Sequence, residues 1–231
     1  MKWLHAALLA LCPLLAAAAA TPSEIAAEYQ VTAAGVTVGR IKESYARKGD
    51  TYTIRSVTLP EGPLKLLLDD TWELSSSGRV GPGGLQPLTF TQHRAKDGKR
   101  DVEATFDWPR GVMVSTYGGQ QTDVPLPRAT QDRISVMYQF MNLERTPVVE
   151  VPMTNGRKVE VYTYRFVSEA RVETPAGTFD TIHYQRVNAD PKERRTEVWL
   201  AKDRFNFPVR LVYDDPKGFK LEQTLVALQS K

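Results

Sequence analysis

Along most of this chain apolar and polar side chains alternate with a period of two, and glycine or proline interrupts the alternation at short intervals. A β-strand sends successive side chains to opposite faces, so this rhythm suits strands with one buried and one wet face and does not suit a helix. The bracketed runs are rich in Val, Thr, Tyr, Phe and Trp, as a pleated, half-buried surface prefers. Strands are expected over Ala26–Ala33, Val36–Arg47, Thr51–Leu59, Thr71–Arg79, Pro87–Ala95, Lys99–Trp108, Val112–Tyr117, Gln121–Leu126, Val148–Thr154, Arg157–Glu173, Thr178–Asn188, Thr196–Lys202, Val209–Tyr213 and Phe219–Ala227. Short turns between them give an antiparallel meander. Long exposed edges invite aggregation, so such a sheet must close into a barrel or curve into a half-barrel. The fold class is mainly β, in a single domain over residues 21–231.

Turn chemistry fixes three connections. Asp97-Gly98 is a type I′ signal that pairs Arg94 with Asp101 and Gln92 with Glu103. In that hairpin Val102, Ala104, Phe106 and Trp108 share one face, expected to point inward together with Thr89, Thr91 and His93. Arg94 and Asp101 then form an outward cross-strand ion pair. Asn155-Gly156 sets a second hairpin that opposes Met153 with Lys158 and Val151 with Glu160, although neither of its faces is cleanly apolar. Thr174-Pro175-Ala176-Gly177 places Pro and Gly as a type I turn prefers.

One segment departs from the period of two. From Thr130 to Leu143 the residues Ile134, Met137, Tyr138 and Met141 recur at i, i+3, i+4 and i+7, which predicts a single amphipathic helix over about 130–143. Asp132 in its first turn complements the helix dipole. The helix either plugs one end of the sheet or forms a lid over a cavity, with Met137, Met141, Tyr138 and Phe140 as an adaptable apolar lining. A shorter helical turn is expected over Leu64–Asp70.

The first twenty residues read as a leader. Lys2 precedes an apolar run from Ala6 to Leu15, and Ala16–Ala20 supplies small residues for cleavage between Ala20 and Thr21. An apolar core of about ten residues is too short to span a bilayer, which takes roughly 20. Leu11 before Cys12 is too large for a lipid-attachment signal. The expectation is a soluble periplasmic product that does not span the membrane and has lost Cys12, the chain's one cysteine, and with it any disulfide or thiolate metal site.

Composition mainly excludes. With 30 Lys and Arg against 27 Asp and Glu, the charge is too balanced for a nucleic-acid footprint, and Lys192-Glu193-Arg194-Arg195 reads as a solvated turn. Metalloprotease, nucleophile-elbow, phosphate-loop and dinucleotide motifs are missing from the sequence. Beyond the leader only His93 and His183 carry imidazoles. No spacing among them and the acids makes a metal motif, so no metal or cofactor is expected. His93 is the leading polar candidate for a ligand site, expected beside Phe106 and Trp108.

Several segments in order resemble an exported proteobacterial family. They include Gly84-Leu85-Gln86-Pro87-Leu88-Thr89-Phe90, Ala104-Thr105-Phe106-Asp107-Trp108, Val124-Pro125-Leu126-Pro127, Gln131-Asp132-Arg133-Ile134-Ser135, Thr174–Phe179, and Glu197-Val198-Trp199-Leu200-Ala201-Lys202 leading to Phe207-Pro208-Val209-Arg210. Together they cover nearly the whole chain beyond the leader and resemble the domain of unknown function 3108 family. That resemblance implies a periplasmic, barrel-like β protein and supplies no catalytic mechanism.

Three function classes follow. The first is a protein that binds or carries an apolar or amphipathic envelope molecule, with His93, Phe106, Trp108, Met137, Tyr138 and Met141 as ligand-facing residues. The second is a structural or assembly factor of the envelope with a filled core and a protein partner. The third is a hydrolase without a recognisable motif. The shortage of catalytic groups and the cavity expected inside a curved sheet rank the first ahead.

Overall fold

A computed structural model describes residues 21–62, 65, 70–142, 145–188, 190, 193–216 and 218–231. The leader and most of the Leu64–Asp70 turn lie outside these residues. All fourteen expected strands form: β1 Glu24–Ala33, β2 Val36–Lys48, β3 Thr51–Pro60, β4 Trp72–Gly81, β5 Gly84–Arg94, β6 Val102–Asp107, β7 Val112–Tyr117, β8 Gln120–Pro125, β10 Val148–Thr154, β11 Val159–Thr174, β12 Gly177–Val187, β13 Arg195–Ala201, β14 Phe207–Asp215 and β15 Phe219–Ser230. A two-residue strand, β9 Gln131–Asp132, completes the set. Alternating burial along β1, β3 and β6 shows the period of two at work, with Val102, Ala104 and Phe106 all inward.

The fifteen strands make one curved sheet in the order β8-β7-β6-β5-β4-β3-β2-β1-β15-β14-β13-β12-β11-β10-β9. It does not close, since β8 and β9 are its two ends. One wing runs outward from β1 to β8 and the other backward from β15 to β9. They meet where the N-terminal strand pairs with the C-terminal one, from Ile25 opposite Ser230 to Ala33 opposite Leu221. β8 and β9 are consecutive in sequence but at opposite ends of the sheet, and only residues 126–130 join them, so the curvature brings those two ends near each other.

The expected helix sits in the segment between β9 and β10, packed inside the curved sheet, and it is shorter than the stripe suggested. Gln131 and Asp132 pair in parallel with Met153 and Thr154, so the ladder claims them first. The helix α1 spans only Ser135–Gln139, followed by a 3-10 turn at Phe140–Asn142. Asp132 accepts the N–H groups of Ile134 and Ser135 at 3.1 and 2.9 Å and so fixes where the helical turns begin. Both flanks of α1 are buried. Ile134, Tyr138 and Met141 pack into a core cluster with Tyr29, Tyr45, Phe106 and Phe207, while Val136 and Phe140 pack into a second with Val151, Tyr164, Ile182 and Leu211.

Two hairpin registers differ from the turn-based reading, the first by one residue and the second by two. Gln92 pairs with Val102, not Glu103, and a seven-residue connection holding a 3-10 turn at Gly98–Arg100 replaces the expected two-residue loop. The one-residue slip turns Phe90 and Gln92 inward and sends Thr89, Thr91 and His93 outward. The physical reason is the core: Phe90 is fully buried, and keeping it inside outweighs the local preference of Asp-Gly. The expected Arg94–Asp101 ion pair becomes a backbone contact, with Arg94 N–H donating to Asp101 at 2.8 Å.

In the second hairpin Met153 opposes Glu160 and Thr154 opposes Val159. The carboxamide of Asn155 accepts Arg157 N–H at 3.0 Å in an Asx turn, which lengthens the loop to four residues. The Thr174–Gly177 turn joins β11 and β12 as expected.

The tip at Gly156 docks the second wing onto the first. Its carbonyl accepts Ser115 Oγ–H at 2.6 Å. A Cβ there would lie 2.4 Å from Val102 Cγ1 at a backbone φ of +85°. Gly98, by contrast, is not in the left-handed region, and a Cβ would meet its nearest neighbour only at 3.8 Å. We expect Gly156→Ala to lower stability by about 2 kcal/mol or more and Gly98→Ala to change it by under about 0.5 kcal/mol, read from urea midpoints.

Candidate functional site

Register decides what the concave face offers. Glu43 lies between Ala27 and Ser56 in the ladder, which puts a carboxylate on the same inward row as Tyr45 and Ile41. It is half-buried, accepting Ser56 Oγ–H at 3.1 Å and Tyr138 Oη–H at 3.3 Å. Burial outweighs both hydrogen bonds and pushes its pKa up to about 7. Asp132 is fully buried and accepts Ser76 Oγ–H at 2.5 Å, and Tyr52 Oη lies 3.0 Å from Ser76 Oγ in turn. Burial raises Asp132 to about 6 despite these donors and the two backbone N–H groups. Tyr138 stacks on Tyr45 with centroids 5.2 Å apart and meets Phe207 edge-on at 5.9 Å.

Around α1 the interior is packed. A gap lined by Phe140, Val149, Ile182, Tyr184 and Leu200 holds about 10 Å³, too little for more than a water-sized guest. Toward one end the filling stops. Met137, Met153, Tyr162 and Tyr213 pack against the second cluster but stay only partly buried. Beside them Arg133 is exposed and donates Nη1–H to Gln92 Oε1 at 3.0 Å. Arg186 lies over the Tyr162 ring at 3.7 Å and pairs with Glu193 at 2.9 Å. It also lines a cavity of about 430 Å³ with Gln185, Asn188, Glu193, Arg195, Asp214 and Pro216. The cluster Lys192-Glu193-Arg194-Arg195, read as a solvated turn, thus contributes Glu193 and Arg195 to a cavity wall.

The structure brings Phe106, Tyr138 and Met141 into one cluster, with Trp108 and Met137 packed against it. Phe106 stacks on Trp108 at 6.0 Å, and Trp108 Nε1–H donates to the Pro87 carbonyl at 2.7 Å. His93 is elsewhere, on the outer face, with Nδ1 2.7 Å from Asp101. His183 is also on the outer face, stacked on Trp199 at 4.1 Å with Nε2 2.9 Å from Glu197, and burial pulls its pKa down. Among the described residues no group of three His, Cys, Asp or Glu side chains gathers to hold a metal, and no helix is long and apolar enough to cross a membrane. Sequence reasoning missed Glu43, Arg133 and Arg186. Glu43 was the readable one, a charge on an inward row between Tyr45 and Ile41.

The family described as protein of unknown function DUF3108 matches residues 28–224. The chain belongs to that family. A search of curated proteins returns no match for this DUF3108 member. Its fold is similar to that of a crystallised β-barrel-like protein of the domain of unknown function DUF1849 from Brucella abortus, with a TM-score of 0.56 at 14% identity, covering 92% of this chain and 99% of that one. Looser similarities are to a putative lipoprotein from Parabacteroides distasonis (0.38, 13% identity, 90% and 97% covered) and a putative outer membrane lipoprotein-sorting protein domain from Vibrio parahaemolyticus (0.29, 9%, 90% and 86%). Only the first superposes closely enough to bear on the fold.

The raised carboxylate pKa values give a signed pH dependence. Glu43 holds its proton in the folded protein up to about pH 7, whereas the unfolded chain releases it near 4.5. Its contribution is therefore present below pH 4.5 and is lost as pH rises through about 7, and Asp132 behaves alike between 3.8 and about 6. We expect urea midpoints to fall from pH 5 to pH 8, with Glu43→Gln flattening the part above pH 6. An unchanged slope in that variant would exclude Glu43 as its source.

Proposed function

We propose that this protein is exported to the periplasm after cleavage between Ala20 and Thr21 and there binds an amphipathic envelope molecule at the open end of its concave face. The observation that carries this reading is the change in filling along one inner surface. Packing is close around α1, and then Met137, Met153, Tyr162 and Tyr213 remain partly exposed beside Arg186, which lines the 430 Å³ cavity. Partly exposed apolar side chains next to a few convergent polar groups are what a small-molecule site requires. In this reading Met137 borders the ligand, while Tyr138, Met141, Phe106 and Trp108 support it from the core. The helix acts as a fixed wedge, because both of its flanks are committed to packing.

The burial of Val136, Tyr138 and Phe140 also supports a second reading, a structural envelope factor whose partner is another envelope protein. Probe binding and thermal stability measured on the same samples separate the two. We expect wild-type protein to take up a fatty-acid or lysophospholipid probe and Met137→Asp to abolish uptake with a modest loss of stability. Tyr138→Ala should cost about 3–5 kcal/mol of stability while the folded fraction still binds. If wild type binds no probe, the filled-core reading takes the place of the carrier.

A further inference from the structure

The arginines of the open end do not behave as a solvated surface. Arg94 extends the inward row of Phe90 and Gln92 on β5, and its guanidinium lies over the Trp72 ring at 3.8 Å. Arg186 extends the inward row of Ile182 and Tyr184 on β12, with a side chain only 16% exposed. Arg133 lies within electrostatic reach of Arg94 on one side and, on the other, of Tyr213 and of Tyr162, the ring that carries Arg186. Guanidiniums from β5, the segment after β9 and β12 are therefore linked along one inner surface through shared neighbours. Among the described residues Arg186 has Glu193, but the hydrogen bond given by Arg133 goes to a neutral amide and Arg94 forms no ion pair. The Nε atoms of both Arg94 and Arg186 are buried without a hydrogen-bond partner, and so is Asn188 Oδ1 in the cavity wall.

Like charges gathered in a concavity repel, and each buried unpartnered donor costs about 1–3 kcal/mol. In a chain whose charge is otherwise nearly balanced, an oxyanion is the group that relieves both costs. A guanidinium seated over an aromatic ring keeps its charge and its N–H fork, the group that grips carboxylate or phosphate with two parallel bonds.

We propose that the ligand is an anionic amphiphile whose phosphate or carboxylate head is held by Arg133, Arg186 and Arg94 while its apolar part lies on Met137, Met153, Tyr162 and Tyr213. This rests on the binding function proposed above and adds the charge of the head group.

The test uses the full exported protein and three single-chain detergents of the same dodecyl tail: dodecyl phosphate, tridecanoate (a dodecyl chain on a carboxylate) and neutral dodecyl maltoside, titrated below micelle formation. The anionic pair should bind at least about tenfold more tightly than the maltoside, a difference of about 1.4 kcal/mol, and the preference should shrink as salt is raised. Arg133→Gln and Arg186→Gln should each lower anion affinity by about tenfold or more and lower maltoside affinity by much less. Arg133→Lys, which keeps the charge and loses the fork, should fall between, and melting curves identify any variant that fails to fold. Tighter dodecyl phosphate than tridecanoate assigns a phosphate head, and the reverse order a carboxylate. Equal binding of all three wild-type ligands overturns the head-group inference and leaves the binding function standing. Binding of none overturns both.

Discussion

An open sheet whose two ends are joined by only a few residues must curve until those ends approach, and the rest of the architecture depends on that constraint. The segment from β9 to β10 fills the inside of that curve, and the inner surfaces of both wings pack against it. A buried segment has to satisfy its own backbone. Asp132 does so for Ile134 and Ser135 while also taking a hydroxyl from β4, and Gln139 reaches the Leu85 N–H and the Gly83 carbonyl. These polar anchors, more than helix propensity, hold a five-residue helix in place. The tip at Gly156 supplies the second tie between the wings.

The strands were readable because each needs only local alternation and a break. Registers were less so. Asp97-Gly98 and Asn155-Gly156 carry strong local turn signals, yet the first hairpin slips by one residue, which moves every side chain to the other face, and the second by two, and the choice was settled by distant partners of Phe90 and by the docking of Gly156 on β5 to β7. No window of sequence contains both sides of those contacts. His93 followed its strand outward for the same reason. The helix was legible as an apolar stripe, while its length was not, because β10 competes for Gln131 and Asp132. Arg133 and Arg186 lie far apart in sequence and come to share Tyr162 as a neighbour only through the fold.

Charge is layered along the concave face. Deep inside, Glu43 and Asp132 are carboxyls whose ionisation is opposed by burial. Farther out, guanidiniums rest on aromatic rings or on a neutral amide, where their charge persists at any physiological pH. The same face therefore combines a sparingly charged interior with an opening where arginines and acids alternate, Arg186 and Arg195 standing beside Glu193 and Asp214. The outer face carries ordinary exposed pairs such as Arg55 with Glu73, which contribute little to stability.

The pairing of β1 with β15 has a consequence for biogenesis. Every other antiparallel pair in the sheet joins strands that follow one another in the chain, so each wing can assemble from local hairpins as it emerges. β15 alone must insert between β14 and β1, the latter synthesised some two hundred residues earlier, as Ile25 opposite Ser230 shows. A chain that folds as it is synthesised from the N-terminus thus presents β1 with one raw edge for nearly the whole of its synthesis, until the final strand arrives to cover it. During that interval the nascent protein is sticky along its central seam, so the last strand to be made is the one that protects the first.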